Sequence, residues 1–388
     1  MSTALSSLAN VRLSTAPVPS QRYGLSVVLR KAYPAVGNNE QRTKDREPTC
    51  NVRGTVVERA TWDDLPGEIV ELVRKRVADD SLAAFHVLRA ANMHAIHVSG
   101  ERVINLKHFA TPGTATTLLV DVAPHAKVVI QESHESAPIH ESTFAEDSGG
   151  GGVAYSSVLV LLHVGEGARV QWFGQSVRVP GFAVIERLAL LGGDAVLEHH
   201  SVLLAANALR ENVHVALNAP GATAHVKTLF VGGTDPTSPD GLRGAGHQFD
   251  LGITAEHRAP HTVSNLAAKG VLTGKAQAVV RGLVRIEREA SGSDGYQRCD
   301  TLLLSPTAEV DPIPNLEINT NDVRCTHGVT TGRLNAEQLF YLQSRGFSDA
   351  AARDLLVSGF VGGLLRAWPD AQREDLSAAV SEILQESP

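Results

Sequence analysis

The sequence predicts a mainly β fold: a right-handed parallel β-helix core with a short N-terminal helical lead-in and a C-terminal α-helical domain. Three observations carry this. Only 5% of the 388 residues are aromatic, against 34 glycines. Stacked coils pack short β-branched side chains inward and want small residues at bends, so large rings are squeezed out. Second, short β-branched segments recur behind a repeated turn phrase. Glu166-Gly-Ala-Arg-Val170, Gly193-Asp-Ala-Val-Leu197, Gly221-Ala-Thr-Ala-His225 and Gly274-Lys-Ala-Gln-Ala278 start 27, 28 and then 53 residues apart, the last interval nearly twice the others. A fixed period of this length implies an array in which each turn stacks on its neighbour. Third, the periodicity is helical at both ends of the chain.

Residues 1–55 are rich in Ser, Pro and Asn, with Arg12, Arg22, Arg30 and Lys31 all preceding the first acidic residue, Glu40. This reads as a flexible N-terminal segment, with an organelle transit peptide as the alternative; no long apolar run marks a secretory signal. Residues 56–94 form the helical lead-in, where Leu65, Ile69, Leu72, Val73, Val77 and Leu82 recur at helical spacing as far as Ala91. Residues 95–330 are the β-helix core. Thr117–Ala123, Ala126–Ile130, Ser157–Leu162 and Ala278–Val284 read as strands. Thr143–Val153, with four consecutive glycines, reads as a mobile loop, and Gly232–Gly246 as a second insertion. Residues 331–388 are helical again. Asn335-Ala-Glu-Gln338 has the form of a capping box and Gly346 is placed to end that helix. Ser348 caps a second helix carrying Leu355, Leu356, Phe360, Leu364 and Leu365, closed by Pro369; Gly359, Gly362 and Gly363 in it suggest close backbone approach. A last amphipathic helix carries Leu376, Val380, Ile383 and Leu384.

Composition excludes several classes. The net charge is −7 and the pI about 6.1, with no basic stripe, against nucleic acid as a partner. The mean hydropathy is −0.05 and no apolar run reaches the roughly 20 residues of a membrane-spanning helix. Three cysteines, Cys50, Cys299 and Cys325, make no disulfide framework and suit a reducing compartment. The expected location is the cytoplasm, or a plastid or other organelle if residues 1–40 are a transit peptide.

Tempting motifs fail on spacing. Gly270-Val-Leu-Thr-Gly274-Lys275-Ala276 imitates a phosphate-binding loop, with one residue too few between its glycines and Ala where a Mg-binding hydroxyl belongs. His134 and His140 are six apart with Pro138 between them, which is no zinc-protease pair. His199 and His200 must face opposite ways on a strand, and read as satisfied or solvent-facing. Asp322-Val-Arg-Cys325-Thr326-His327-Gly328 is different. On a strand, Cys325 and His327 project from one face with α-carbons about 6.5–7 Å apart. Thiolate plus imidazole suits iron or zinc; the bland alternative is a buried Cys beside an unrelated His. An ordinary iron–sulfur cluster takes four thiolates, and Cys50 is remote, so any cluster here needs ligands from another chain.

At this segment a family resemblance appears. Asp294-Gly-Tyr-Gln297, Asp300–Ser305, Ala308–Ile318, Asp322–Gly328 and Glu337–Gly346 closely resemble the SufB/SufD family of the SUF iron–sulfur assembly complex (SufBCD), and within it the SufD branch. His261-Thr-Val-Ser-Asn265 and Lys269-Gly-Val-Leu272 resemble the same family. The specific match covers residues 255–366. Cys325-Thr-His-Gly328 and Leu342 point to SufD, where SufB reads His-Glu-Ala after the strand and has a Cys in the following helix. Two departures stand out: no Trp-Arg-x-Thr stretch precedes residue 90, and Cys299 sits where SufB also often carries Cys.

The resemblance implies a noncatalytic scaffold subunit, pairing with a SufB-like subunit through the C-terminal β-helix turns and binding a SufC-type ABC ATPase through its C-terminal helices. Cys325 and His327 then become candidate interfacial ligands of a nascent, transient iron–sulfur cluster shared with the partner, none being tightly bound by this chain alone. Leu355, Leu356, Phe360 and Leu364 become candidate SufC contacts, and no residue is assigned a catalytic role. The alternatives are a SufB-like homodimeric scaffold and a β-helix carbohydrate-active enzyme or acyltransferase, whose groove residues or six-residue period the sequence lacks.

Overall fold

The computed structural model describes residues 49–51, 57–60, 62, 65–80, 93–110, 114–136, 155–179, 181–234 and 246–385. In chain order the strands are β1 (Thr49–Asn51), β2 (Val57–Ala60), β3 (Met93–Val98), β4 (Glu101–Ala110), β5 (Thr114–Val122), β6 (Lys127–Ser136), β7 (Tyr155–Val164), β8 (Arg169–Val177) and β9 (Phe182–Leu191). They continue as β10 (Val196–Leu204), β11 (Ala208–Leu217), β12 (Thr223–Gly232), β13 (Gln248–His257), β14 (Val263–Leu272), β15 (Gln277–Ile286), β16 (Ser293–Leu303), β17 (Glu309–Ile318) and β18 (Val323–Gly332). The helices are α1 (Gly67–Asp79), α2 (Ala336–Ser344), α3 (Asp349–Leu365) and α4 (Asp370–Gln385).

From β3 onward the chain alternates between two sheets. Even-numbered strands β4–β18 stack in parallel in one sheet, and odd-numbered β3–β17 stack in parallel in the other. This is the expected right-handed parallel β-helix, with two strands per coil, and parallel crossovers have that hand as a rule. β1 and β2 close the start of each sheet in antiparallel pairing, Cys50 lying opposite Leu106. Thr49–Asn51, within the segment expected to be flexible, pair with β4. Helix α1 realises the lead-in periodicity as far as Asp79; residues 81–92 lie outside the described residues, as do 143–153 and 235–245 of the two insertions.

The register explains the period. Arg169 pairs with Val196 and Val196 with Thr223, so one coil takes 27 residues. Before β6, β8, β10 and β12 a tight turn delivers a buried alanine, as Ala168 N–H bonds Gly165 O (3.1 Å) and Ala195 N–H bonds Gly192 O (3.3 Å). The preceding residue has positive φ, 64° at Gly167 and 75° at Gly221, which is why glycine recurs there. The fourth phrase is a correction. Gly274-Lys-Ala276 leads into β15, in the other sheet, and its positive φ falls one position earlier in the turn, at Gly274. Its 53-residue interval is therefore not two coils of one repeat. Two coils hold insertions, so Thr223 of β12 pairs with Val263 of β14.

Alternate strand positions fill the interior. In β10, Leu197 and Leu203 point inward with rows such as Val170, Trp172, Val226 and Phe230, while Val202 and Leu204 face outward. Gly270 belongs to this packing, not to a phosphate loop: a Cβ there would lie 2.2 Å from the Phe230 ring. Both sheets have buried outer faces too. Ile69, Leu72, Val73 and Val77 of α1 pack on Leu159, Leu161, Leu188 and Leu190, and Arg76 bonds Glu186 (3.1 Å) on the same face. On the other sheet, Val357, Val361, Leu365, Trp368, Leu376, Val380 and Ile383 cover Phe173, Val202, Leu229 and Val231. His199 and His200 do face opposite ways, yet neither is solvent-facing. His199 is inside the coil beside Trp172 with no hydrogen-bond partner at either ring nitrogen, and His200 stacks on Phe173 (5.3 Å) on the outer face.

The stacking leaves almost no room at the coil corners. A Cβ on Gly165 would approach Pro124 N at 2.6 Å and Val122 O at 2.8 Å, both backbone atoms that cannot rotate away. Gly165→Ala is expected to cost about 1–3 kcal/mol in urea denaturation. Gly328→Ala, with nothing within 4 Å of the new methyl group, should stay within about 0.5 kcal/mol of the parent.

Candidate functional site

The two sheets end differently. β1 and β2 cap one end, whereas among the described residues β17 and β18 each have a single neighbour, so the last coil presents two open strand edges. On β18 the backbone direction follows from the Gly292 N–H bonding Asp322 O (2.7 Å): even-numbered residues face β16. The N–H and C=O groups of Cys325, His327 and Val329 therefore point along the free edge. On β17 the Glu309 N–H bonds Ala276 O, so Pro312 and Pro314 occupy edge-facing positions, where the missing N–H costs no ladder bond. The edge of β17 is thus poor in donors and that of β18 keeps its own.

The side chains of Cys325 and His327 share the inward-facing row. Their partners in β16 are Gly295 and Gln297, both buried, and Cys325 packs against the end of the interior core. Cys325 is half-buried and His327 exposed, because no further coil covers them. Gly295 is held small by the core beneath, since a Cβ there would lie 2.7 Å from Val284 Cγ1, with Cys325 Sγ at 3.4 Å. Burial, and secondarily the carboxylate of Asp294, push the Cys325 thiol up from its ordinary range. A cation beside it would reverse that, as metal binding displaces the thiol proton. Cys299 is not part of this pair. It lies on β16 opposite Val329, four residues (about 13 Å) beyond Gly295, and burial pushes its thiol up to about 11. Cys50 is at the opposite end of the coil.

Around the open end lie exposed apolar side chains, Ile313 and Ile318 of β17, Val329 of β18, and then Phe340 (72% exposed) and Tyr341 of α2, a helix that buries none of its residues. The sequence signal for α2 and α3 is realised: Asn335 accepts from the Glu337 and Gln338 amides (2.9 and 3.0 Å), Gly346 ends the helix at φ 94°, and Ser348 accepts from Ala351 N–H. Of the four helix residues assigned to partner contact, Leu355 is exposed, Leu356 and Phe360 are partly covered, and Leu364 is buried under the chain's own α3–sheet packing. Lys269 reaches the same helix, donating to Phe360 O (2.9 Å) with its ammonium 4.6 Å from the ring centre. Among the described residues Gly359 and Gly362 have nothing within 4 Å, and they line an open groove with Arg366, Arg373 and Glu374.

The chain is thus a parallel β-helix whose last coil is open and carries Cys325 and His327 on one face. Residues 106–360 match the family model described as SUF system FeS cluster assembly, SufBD core domain. The chain belongs to that family. It is 36% identical over 205 residues to an iron–sulfur cluster assembly SufBD family protein of Mycobacterium leprae (strain TN), covering 50% of each chain. It is 33% identical over 181 residues to the iron–sulfur cluster assembly protein SufD of Escherichia coli (strain K12), covering 47% of this chain and 40% of that one. A SufBD family protein of Mycobacterium tuberculosis (strain H37Rv) is 34% identical over 207 residues, covering 51% and 49%. The matches span about half the length of these relatives. No helix among the described residues is long and apolar enough to cross a membrane.

Proposed function

We propose that this chain is a SufD-like, noncatalytic scaffold subunit that pairs with a SufB-type subunit through the β17–β18 end and carries a SufC-type ATPase on its C-terminal helices. The observation that carries this is the open last coil, where an inward-facing Cys325 and His327 lie uncovered beside a strand edge whose backbone donors and acceptors are unpaired. A partner strand laid on β18 would pair with the backbone of Cys325, His327 and Val329 and close the coil over the two side chains. The cluster is cargo: iron and sulfide would be held between Cys325, His327 and ligands of the partner, then passed to an apo-protein. Closure of ATP-bound SufC-type subunits would strain the pair through α2 and α3 and open the site.

Covering the site also explains its apolar surroundings, since Ile313, Ile318 and Val329 would otherwise remain in water. Leu355, Phe340 and Tyr341 offer the ATPase an exposed surface, whereas Leu364 is used internally. Removing residues 335–388 is a poor test of docking, because it would strip the cover from Phe173, Leu229 and Val231. Point variants are better. In co-purification, Leu355→Asp is expected to lose the ATPase while retaining the SufB-type subunit, and Val329→Asp the reverse. Retention of both partners by both variants would contradict the docking scheme. If the chain purified alone is a dimer that Val329→Asp dissociates, the homodimeric scaffold is favoured instead.

A further inference from the structure

Far from the open end, the coil interior holds a buried group of charged and imidazole side chains. Glu132 of β6 projects inward with two unequal oxygens. Its Oε2 accepts three donors, from Trp172 Nε1 (2.8 Å), Arg187 Nε (2.9 Å) and Arg187 Nη2 (2.7 Å). Its Oε1 instead faces two imidazoles, His108 Nε2 of β4 at 3.1 Å and His134 Nε2 of β6 at 3.2 Å. The two rings stack, 4.9 Å apart and 16° from parallel, so both present Nε2 to one side of the carboxylate. Glu132, His108 and His134 are 2%, 4% and 6% exposed.

His108 is the informative member. Despite the 3.1 Å approach, neither of its ring nitrogens completes a hydrogen bond among the described residues. A buried imidazole without a partner is costly. His134 Nε2 is within hydrogen-bond distance of Glu132 Oε1 (3.2 Å) and of Arg187 Nη2 (3.4 Å), so among the described residues His108 is the member whose nitrogens are left over for a ligand. Atoms about 2 Å from one metal lie about 3.2 Å apart at tetrahedral angles, which matches the two nitrogen-to-oxygen separations.

Charge counting points the same way. Among the described residues, the charged side chains bonded within this interior group are Glu132, Glu211 and Arg187, whose Nη1 bonds Glu211 Oε1 (2.6 Å). With both carboxylates ionised the group carries a net charge of −1, so a cation beside the imidazoles meets a favourable field, and a divalent ion would leave the group at +1. Arg187 then acts as an outer partner, holding Oε2 so that Oε1 is left for the ion.

We propose that His108, Glu132 and His134 form a closed binding site for one divalent first-row transition metal ion such as Zn2+ or Fe2+. Two imidazoles and one carboxylate are a donor set suited to these ions and not to Mg2+ or Ca2+. The site is separate from the Cys325–His327 pair: β6 and β18 are six strand spacings apart, roughly 29 Å. Its place inside the coil, bridging β4 and β6, fits an ion that fastens the first coils together.

The test uses the full chain expressed in zinc-supplemented medium, washed with chelator and assayed for metal by mass spectrometry. The expected result is close to one zinc per chain, retained in Cys325→Ala/His327→Ala and lost at least tenfold in His108→Gln. Chain expressed with cobalt should show ligand-field bands and no sulfur-to-metal charge transfer. His134→Gln serves as a second variant, with circular dichroism verifying that each is folded. No bound metal in the parent, or zinc unaffected by both histidine substitutions in folded protein, would overturn the proposal. Failure of the scaffold reading would not, because the readout needs no partner.

Discussion

Arg187→Met should destabilise the chain by about 3–5 kcal/mol at pH 8, measured as a lower urea midpoint at unchanged slope. Arg187 is 4% exposed and bonds both Glu132 and Glu211 inside the coil. Removing one partner of a buried ion pair leaves the other charge desolvated and uncompensated, the most expensive kind of polar loss. In the parent, Arg187 together with the neighbouring imidazoles holds the Glu132 carboxyl well below its usual range. Without the guanidinium, burial raises both carboxyls above their unfolded values. The native state then binds more protons than the unfolded chain at neutral pH, and stability rises as pH falls. The variant should therefore regain part of its loss between pH 8.5 and 6.5. A loss below about 1 kcal/mol would mean that the interior charges are solvated.

The parent chain should lose stability in the opposite sense below pH 6.5. His200 and His257 are buried and pushed down to about 4, His257 by burial alone although its two ring nitrogens contact Thr262 Oγ1 (2.7 Å) and Ser264 Oγ (2.8 Å). His199, inside the coil, is pushed well below its usual range for the same reason. Each is neutral in the folded state. Their contribution is fully present above 6.5, the unfolded value, and is lost as pH falls towards 4, because the unfolded chain takes up protons that the native chain cannot. At up to about 3 kcal/mol for each of His200 and His257, this is a large share of a typical domain stability of 5–15 kcal/mol. Urea midpoints should fall steeply between pH 6.5 and 4.5. His257→Gln should flatten the slope, and an unchanged slope in that variant would remove His257 from the account.

Much of the architecture is legible in the sequence because it is written locally. A buried alanine after a positive-φ residue recurs before β6, β8, β10 and β12, β-branched runs mark the strands, and Asn335, Gly346 and Ser348 carry the helix boundaries. What the local text hides is the alternation between sheets, which makes the fourth turn phrase look like a continuation of the first three. The Cys325–His327 pair is readable for the same local reason, two residues apart on one strand. That Leu364 is buried is not, since the face of α3 turned to the coil is decided by the distant Phe173, Leu229 and Val231. The interior charge group is the clearest case of long-range assembly: Arg187 lies 55 residues from Glu132 and 24 from Glu211, and coil stacking alone joins them. One signal was available. In Phe182–Leu191 a glutamate and an arginine are adjacent in an otherwise apolar strand, and the structure buries both, Glu186 outward against Arg76 and Arg187 inward. Of the 16 histidines, His199, His200 and His257 acquire a reason in the same way, as buried groups held neutral by the narrow core.

The central proposal is that the open last coil is one half of a cluster-building site. Its most direct test is anaerobic iron and sulfide loading of the chain co-expressed with its SufB-type and SufC-type partners, comparing the parent with Cys325→Ala/His327→Ala. The account predicts that the variant complex assembles with the same subunits and retains less than about a tenth of the acid-labile sulfide and cluster absorbance. An intact complex with undiminished cluster would contradict it.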